Sequence, residues 1–538
     1  NNTIQSNLLA VYTNGGRIVS PTRLTFDNVT GEAGRNATLT ATLKDDKGNV
    51  IGSSDTVTAK VNGTDVNLVF DETTRKFTAT YTPQTAGDYT ISGNYTKAND
   101  CNVINGTLTV NEHIPDFNDL QAIVDAATPN SVIYLNGTNY TAKPGQSNVN
   151  IDKNIEIIGG SQADPSLKST LDAQEQCRIF YIANGVSVTL KNINFINGNS
   201  ADLYDYGGAI YNCGNLTVSN SNFTNTQVQG DGGAIYGGSD GSVTVSGSTF
   251  TNTFVRSGYG GAITSGGKVT VINSTFTNTT ADNMAGAISG LDGSSITVSN
   301  SIFNNITSNI GGVIHGGSDS SITVSGSIFN NTRADVIAGA IYGKRVNVTN
   351  SIFNNTRADE IAGAIFGYIS VNVTNSIFIN NTAQSGSAFL IGGDLNLVNS
   401  RFIENNSIGR EIICVTGGNV SLNNNTITTN AIPIYNDDNS LGTPFAIFTS
   451  PVYLTFDNIT VEEGENATLT AVLTDDNGNI IGTNANITGK VGDADVTFVF
   501  NETTKKFTAN YAQTQIGGEY PITGNYTNAT NCIVTDGI

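Results

Sequence analysis

The sequence predicts an all-β protein: a right-handed parallel β-helix with three strands per turn, flanked by immunoglobulin-like β-sandwich domains. Two repeats support this prediction. A short unit recurs through the middle of the chain, and a larger block that begins near residue 21 returns near residue 451. A unit of about 25 residues cannot bury an apolar face by itself, so its copies must stack on one another as a solenoid.

The residue pattern of the short repeat predicts which side chains point into the solenoid and which point outward. Each copy carries an isoleucine, then a Val-x-Val pair such as Val243 and Val245, then a phenylalanine. The isoleucines are Ile210, Ile235, Ile263, Ile288, Ile314, Ile341 and Ile365. The phenylalanines are Phe195, Phe223, Phe250, Phe276, Phe303, Phe329, Phe353, Phe378 and Phe402. Neighbouring strand residues point to opposite faces, so we expect these positions to point inward and the variable residue after each isoleucine to point outward.

An asparagine follows most of these phenylalanines by two residues. The asparagines are Asn197, Asn225, Asn252, Asn278, Asn305, Asn331, Asn355 and Asn380. The parity of an extended strand puts residues two apart on the same face, which predicts that this asparagine ladder points inward at a corner. Stacked asparagine side chains are expected to hydrogen-bond along the solenoid axis.

The start of the solenoid is predicted to be covered by a helix. Residues 116–127 have apolar side chains at helical spacing, and Asp116 or Asn118 is suited to cap the helix. A helix over the open end of the solenoid would prevent edge-to-edge strand pairing.

The long repeat predicts the domain boundaries. The segment from Leu24 to Asn28 returns from Leu454 to Asn458. We therefore expect the end of a preceding β-helix in residues 1–20, a sandwich in 21–112, the capped β-helix in 113–450 and a second sandwich, without its last strand, in 451–538. The chain then corresponds to one period of a tandem array, with identical modules end to end in a fibre. The alternative is a separate subunit that receives the missing strand from a neighbour.

Composition narrows the classes of function. The formal net charge is −20, which argues against a nucleic-acid partner because a polyanion binds through lysine and arginine. There are only two histidines, and the cysteine spacing matches no metal motif, so we expect no metal and no cofactor. No apolar run is long enough to span a bilayer. Membrane attachment is therefore expected only through an anchor outside this chain.

A catalytic alternative rests on acidic residues. Arg333-Ala334-Asp335 lies one repeat before Arg357-Ala358-Asp359, and with Asp282 these residues form a short acidic ladder. Either the arginines neutralise the carboxylates or the group is a carbohydrate-active site. A second acidic group, Asp202, Asp205 and Asp231, is better explained as solvated loop. The candidate ligand-binding surface consists of the tyrosines Tyr204, Tyr206, Tyr211, Tyr236 and Tyr259.

The amphipathic cap, the Gly-Gly-Ala-Ile repeats and the Ser-x-Phe-x-Asn corners resemble the giant adhesin-like surface proteins of methanogenic archaea. Their β-helix is similar to those of the chlamydial polymorphic membrane proteins and of pectate-lyase-like folds. The resemblance covers about residues 117–430, and it implies an extracellular, glycosylated protein at the cell surface.

Three functions follow from these observations as hypotheses. The preferred one is a non-catalytic surface adhesin or stalk whose partners are other cells or surface glycans; the alternatives are a polysaccharide lyase or hydrolase and a protective envelope-layer protein. Asn-x-Ser/Thr sequons are frequent, which fits N-glycosylation. The candidate glycosylation sites on outward faces are Asn36, Asn347, Asn372 and Asn466, whereas Asn278, Asn305 and Asn380 are expected to stay bare because they lie in the inward asparagine ladder.

Overall fold

The chain divides into two units. The computed structural model describes residues 5–6, 9–10, 21–52, 57–96, 98, 100–200, 205–407, 411–428, 432–436, 439–441, 446–448, 452–462, 464–474, 478, 480–481, 487–512, 518–526 and 532–538. The units are Asn1–Ile114 and Pro115–Ile538. Most of the predicted segment 1–20 lies outside the described residues; within it, Gln5–Ser6 pairs with Leu9–Ala10.

The first unit is built from strands that are mostly antiparallel. After the short pair at its start, the strands are Thr22–Phe26, Val29–Glu32, Ala37–Lys44, Val57–Val61, Thr64–Asp71, Lys76–Tyr81, Gly87–Asn94, Cys101–Ile104 and Gly106–Asn111. Thr64–Asp71 pairs with Val57–Val61 along its first part and with Lys76–Tyr81 along its last, so one long strand links two sheets. Leu39 and Phe77 are fully buried between them. Whether this arrangement is immunoglobulin-like stays a prediction.

The C-terminal block repeats a contact of the first unit. Its strands are Val452–Phe456, Asn466–Thr474, Ile487–Val491, Ala494–Asn501, Lys506–Ala512, Ile522–Asn525 and Cys532–Thr535. Asp27 accepts a bond from Lys76 at 2.9 Å, and Asp457 accepts one from Lys506 at 2.7 Å. The long repeat in the sequence predicts this equivalence.

The capping helix is confirmed and spans Phe117–Ala126. Asp116 is the N-cap and accepts hydrogen bonds from the backbone amides of Asn118 and Asp119, while the Asp119 side chain accepts from the Asp116 amide. This reciprocal capping box satisfies amides that have no partner in the first turn. The helix packs on the strands Tyr140–Thr141 and Val149–Ile151 and buries Phe117 against the first turns of the solenoid.

The parallel solenoid is confirmed. The isoleucine strands are Val149–Ile151, Phe180–Ile182, Ile210–Asn212, Ile235–Gly237, Ile263–Ser265, Ile288–Gly290, Ile314–Gly316, Phe389–Ile391, Glu411–Val415 and Ile432–Asn436. The valine strands are Ser131–Tyr134, Ile155–Ile158, Ser187–Lys191, Asn215–Ser219, Ser242–Ser246, Lys268–Ile272, Ser295–Ser299, Ser321–Ser325, Asp394–Val398 and Val420–Asn423. In two turns the isoleucine and valine strands run together, as Ile341–Thr349 and Ile365–Thr374. The antiparallel strand Asn439–Leu441 closes this sheet.

The phenylalanine strands form a second sheet of 13 strands. They are Tyr140–Thr141, Ser169–Asp172, Ile193–Ile196, Asn222–Thr224, Thr249–Thr251, Thr275–Thr277, Ile302–Asn304, Ile328–Asn330, Ile352–Asn354, Ile377–Ile379, Arg401–Ile403, Thr426–Thr428 and the antiparallel Ala446–Phe448. The rings stack in register: Phe250 lies 4.7 Å from Phe223 and 4.6 Å from Phe276, nearly parallel to both. The predicted inward phenylalanine ladder is therefore confirmed.

Between residues 199 and 407, a fourth short strand in each turn corrects the expectation of three. These strands are Asn199–Ser200, Gln227–Val228, Phe254–Val255, Thr280–Met284, Thr307–Ile310, Arg333–Ile337, Arg357–Ala358, Thr382–Ala383 and Asn406–Ser407. Their buried positions hold residues such as Ala334, Ala358 and Ala383, which cluster separately from the solenoid core. These positions vary between valine, alanine and serine and do not stand out as an apolar ladder, so the sequence pattern does not reveal this strand.

The asparagine ladder points outward, which corrects the inward prediction. Asn278, Asn305 and Asn380 are exposed, and each has a positive φ between 51° and 56°. A left-handed residue breaks the alternation of an extended strand, so the next residue, such as Thr279, turns inward instead. Stacking along the axis is confirmed: Asn278 Nδ2 donates to Asn252 Oδ1 at 3.2 Å, and Asn305 Nδ2 donates to Asn278 Oδ1 at 3.3 Å.

Candidate binding face

The candidate functional face is the outer side of the isoleucine strands. The residues that follow the isoleucines pair in register from turn to turn: Tyr211, Tyr236, Thr264, Ser289, His315, Tyr342 and Phe366. Because the inward isoleucines hold the backbone in a fixed register, these outward side chains form one row along the axis. The row has aromatic residues at both ends and small hydroxyl residues between them.

At one end of the row lies a group of rings that we call the tyrosine cluster, formed by Tyr181, Tyr206, Tyr211 and Tyr236. The ring of Tyr236 lies 4.6 Å from Tyr206 and 5.2 Å from Tyr211, and Tyr211 lies 5.5 Å from Tyr181. Three tyrosines proposed from the sequence, Tyr206, Tyr211 and Tyr236, are thus brought together. Tyr181 was missed because it precedes the regular repeats, and Tyr204 lies outside the described residues. Burial raises the pKa of Tyr236 to about 12, so its phenol is neutral at physiological pH.

Arg178 links this cluster to an acidic group. Its guanidinium lies 5.2 Å from the centre of the Tyr211 ring and 3.2 Å from Asp205 Oδ1. Its Nε also donates to the backbone oxygens of Tyr206 and Gly207. Burial raises the pKa of Asp231, although this carboxylate accepts a hydrogen bond from the backbone amide of Tyr259. Asp205 is therefore neutralised by an arginine, whereas Asp231 is held toward its protonated form.

Tyr259, the fifth proposed tyrosine, belongs to a different group. It precedes Gly260, whose φ of 67° favours glycine at this corner. Its ring lies 6.4 Å from His315, which stacks on Tyr342 at 5.1 Å; Tyr342 in turn stacks on Phe366 at 5.0 Å. Sequence reasoning missed this association because it spans turns more than 50 residues apart in the chain.

Three of these rings line the His315 cleft, a cavity of about 740 Å³. It is formed by Tyr259, Met284, Ser289, Leu291, Asp292, His315, Tyr342, Lys344, Tyr368 and adjacent glycines and serines. His315 is largely buried, and burial lowers its pKa to about 4, so the imidazole is neutral at physiological pH. Its Nδ1 and the Oγ of Ser289 are buried, and neither has a hydrogen-bond partner among the described residues. Lys344 is neutralised by Asp319 at 2.5 Å.

The acidic ladder proposed as an enzymatic alternative is an ion-pair network. Arg333 lies 3.2 Å from Asp335 and 2.7 Å from Asp359, and Arg357 lies 2.9 Å from Asp359. Slight burial acts to raise the pKa of Asp359, but hydrogen bonds from both arginines outweigh it, so this pKa lies below its ordinary value. Asp359, with its lowered pKa and two arginine partners, is unsuited to be the protonated acid that glycoside hydrolysis requires.

The described residues contain no cluster of three or more histidine, cysteine, aspartate or glutamate side chains that could hold a metal ion. Within the same described part of the chain, no helix has the length and apolar character needed to cross a membrane.

The four candidate glycosylation asparagines, Asn36, Asn347, Asn372 and Asn466, are all exposed. Asn347 and Asn372 face outward between inward valines, as predicted, and Asn372 Nδ2 donates to Asn347 Oδ1 at 2.8 Å. Since Asn278, Asn305 and Asn380 are exposed too, burial does not exclude them from modification. Use of any of these sites stays a prediction.

Comparison with known proteins gives a distant structural match. No protein-family model and no curated protein matches this chain. A search of solved structures finds the Family 28 exopolygalacturonase of Yersinia enterocolitica, aligned over 73% of this chain and 97% of that chain, with a TM-score of 0.27 and 8% identity. At this level of similarity nothing follows about substrate or mechanism.

Proposed function

We propose that this chain is part of a non-catalytic, extended surface adhesin or stalk that binds glycans or other cells through the outer face of its solenoid. The proposal includes right-handed winding, which parallel crossover connections favour, and immunoglobulin-like domains on both sides. The observation that carries it is the contrast on the solenoid surface: the repeated carboxylates at Asp335 and Asp359 are taken up by arginines, whereas aromatic rings are gathered into two groups along one face.

Aromatic rings favour binding because their surface is already exposed and rigid before a ligand arrives. A ring loses little conformational entropy on binding and offers an apolar face with a polar tip, which is why tyrosine is frequent at interfaces. In-register stacking along the solenoid fixes these rings before a ligand arrives, and such preorganisation favours affinity. The exposed stacked asparagines and the net charge of −20 are compatible with an extracellular location and a glycosylated surface.

The test is binding without cleavage. The full chain is incubated with insoluble neutral and acidic cell-wall polysaccharides, and the pelleted protein is measured beside the release of reducing ends and unsaturated sugars. We expect pelleting with no product. Replacement of Tyr206, Tyr211 and Tyr236 together by alanine should reduce pelleting, whereas replacement of the exposed residues Ile302 and Ile328 on another face should not. Failure of the chain to bind any polysaccharide or intact cell would remove the proposal.

A carbohydrate-active enzyme is the second candidate, and one observation favours it. Asp231, whose pKa is raised by burial, lies one turn from Asp205, which is bound by Arg178, so two carboxyl groups in different environments occur on neighbouring turns. General acid catalysis requires a carboxyl that stays protonated near working pH. If this reading is right, the chain releases reducing ends from a polysaccharide and Asp231→Asn abolishes the release without weakening binding.

A further inference from the structure

The His315 cleft combines an aromatic wall with polar atoms that have no partner. Ser289 Oγ and His315 Nδ1 are both buried without a hydrogen bond, although native proteins satisfy most buried polar groups. Ser289 is fully buried, yet it lines the cleft, since it lies on the outward row one turn before His315. A ligand or ordered water with hydroxyl groups would satisfy both atoms.

Among the rings around these atoms, that of Tyr368 offers exposed apolar surface. Tyr342 stacks between His315 and Phe366. Tyr368 packs edge-on against Phe366 at 5.4 Å, and 59% of the Tyr368 residue is exposed. The ring of Tyr259 also lines the cleft and lies 6.4 Å from that of His315. Because Ser289 Oγ is buried, a ligand reaches it only when a neighbouring side chain moves.

The charges around the cleft select against an anionic ligand. Lys344, the cationic side chain of the lining, is bound by Asp319, and Asp292 adds an exposed carboxylate at the rim. The imidazole of His315 is neutral at physiological pH for the reason given above. An acidic saccharide would therefore meet a carboxylate with no unpaired cation in the lining to balance it, in a chain whose net charge is already −20.

We propose that the His315 cleft binds a neutral sugar residue, whose C–H face packs on the exposed ring of Tyr368 and whose hydroxyls hydrogen-bond to His315 Nδ1 and Ser289 Oγ. This inference rests on the proposed surface-binding function and names its site and ligand class. It distinguishes the cleft from the tyrosine cluster, because no unpartnered buried atom is found among the described residues that form the cluster.

The experiment uses the full chain and isothermal titration with tetrasaccharides of glucose, galactose, mannose or N-acetylglucosamine, with tetragalacturonate as the acidic probe. We expect at least one neutral probe to bind and tetragalacturonate not to bind. His315→Phe keeps the stacking ring but lacks Nδ1, and Ser289→Ala removes only the hydroxyl. Each should raise the Kd for the neutral probe about fivefold, the effect of one lost hydrogen bond.

Ser294→Ala is the matched control. Ser294 is also buried with an unpartnered hydroxyl, but it does not line the cleft, so this variant should bind like the unmodified chain. Circular dichroism and urea midpoints establish that all three variants are folded.

The outcomes separate the two proposals. Suppose that the chain binds polysaccharide or cells. The cleft assignment alone is then overturned if the chain binds no neutral probe, if it prefers tetragalacturonate, or if His315→Phe and Ser289→Ala leave the binding unchanged. Absence of binding to every probe, polysaccharide and cell overturns both.

Discussion

Replacement of Phe303 by alanine should lower the free energy of unfolding of the solenoid by about 3–5 kcal/mol. Phe303 is fully buried, and its ring lies 4.9 Å from Phe276 and 5.0 Å from Phe329. Both stacked pairs are lost with the ring, and each contributes about 0.5–1.5 kcal/mol beyond the buried area. The hydrogen-bonded turns on either side limit collapse of the cavity, so we expect a value toward the upper end of the range.

Urea unfolding measures the loss, and hydrogen exchange localises it. Contacts in a solenoid are made between neighbouring turns, so faster exchange should be confined to the strand Ile302–Asn304 and the turns that adjoin it. Ile302→Ala is the control, because Ile302 precedes Phe303 in the same strand but is 43% exposed. It should change stability by no more than about 0.5 kcal/mol. A costly Ile302→Ala beside a neutral Phe303→Ala would refute the assignment of inner and outer faces.

Three further outcomes are expected. Burial lowers the pKa of His315 to about 4, whereas the imidazole in the unfolded chain binds a proton near pH 6.5. The free energy of unfolding should therefore fall as the pH falls between these two values, and it should fall less in His315→Phe. Urea midpoints at pH 7 and pH 5 measure the difference. Asp116→Ala should cost about 1 kcal/mol through loss of the helix cap, with faster exchange of the Phe117–Ala126 amides. Glycopeptide mapping of natively expressed protein should find sugar on Asn347 or Asn372 but not on both in one molecule, because their amides stack at 2.8 Å.

The ladders could be predicted because large apolar residues return at fixed positions in every turn. Ile235, Val243 and Phe250 are each fully buried, as expected from the repeat. The fourth strand could not be predicted in this way, since its buried residues vary between valine, alanine and serine. Prediction from periodicity therefore succeeds where every turn places a large apolar side chain at the same position, and it fails where the side chain changes from turn to turn.

The face of the asparagine ladder was predicted wrongly for a different reason. The rule that residues two apart share a face assumes an extended backbone. One left-handed residue such as Asn278 breaks this alternation, so the residues after it point to the opposite face from the one predicted. The signal was present in the sequence, because asparagine tolerates a positive φ better than most residues and recurs at this position in every regular turn. The His315 cleft gave no comparable signal: its members come from several turns and are brought together by the reach of the rings.

The same geometry explains how the outward face can vary without loss of the fold. Ile263, Ile288 and Ile314 hold three consecutive turns in register from inside, while the next residue on each strand is threonine, serine or histidine. Thr264 and Ser289 are fully buried, and Thr264 Oγ1 donates to the backbone oxygen of Tyr259, so a large residue at either position would meet packed neighbours. Tyr236 and Tyr342, nearer the ends of the row, are only partly buried. Substitutions in the outward row should therefore cost the least stability at these partly buried positions.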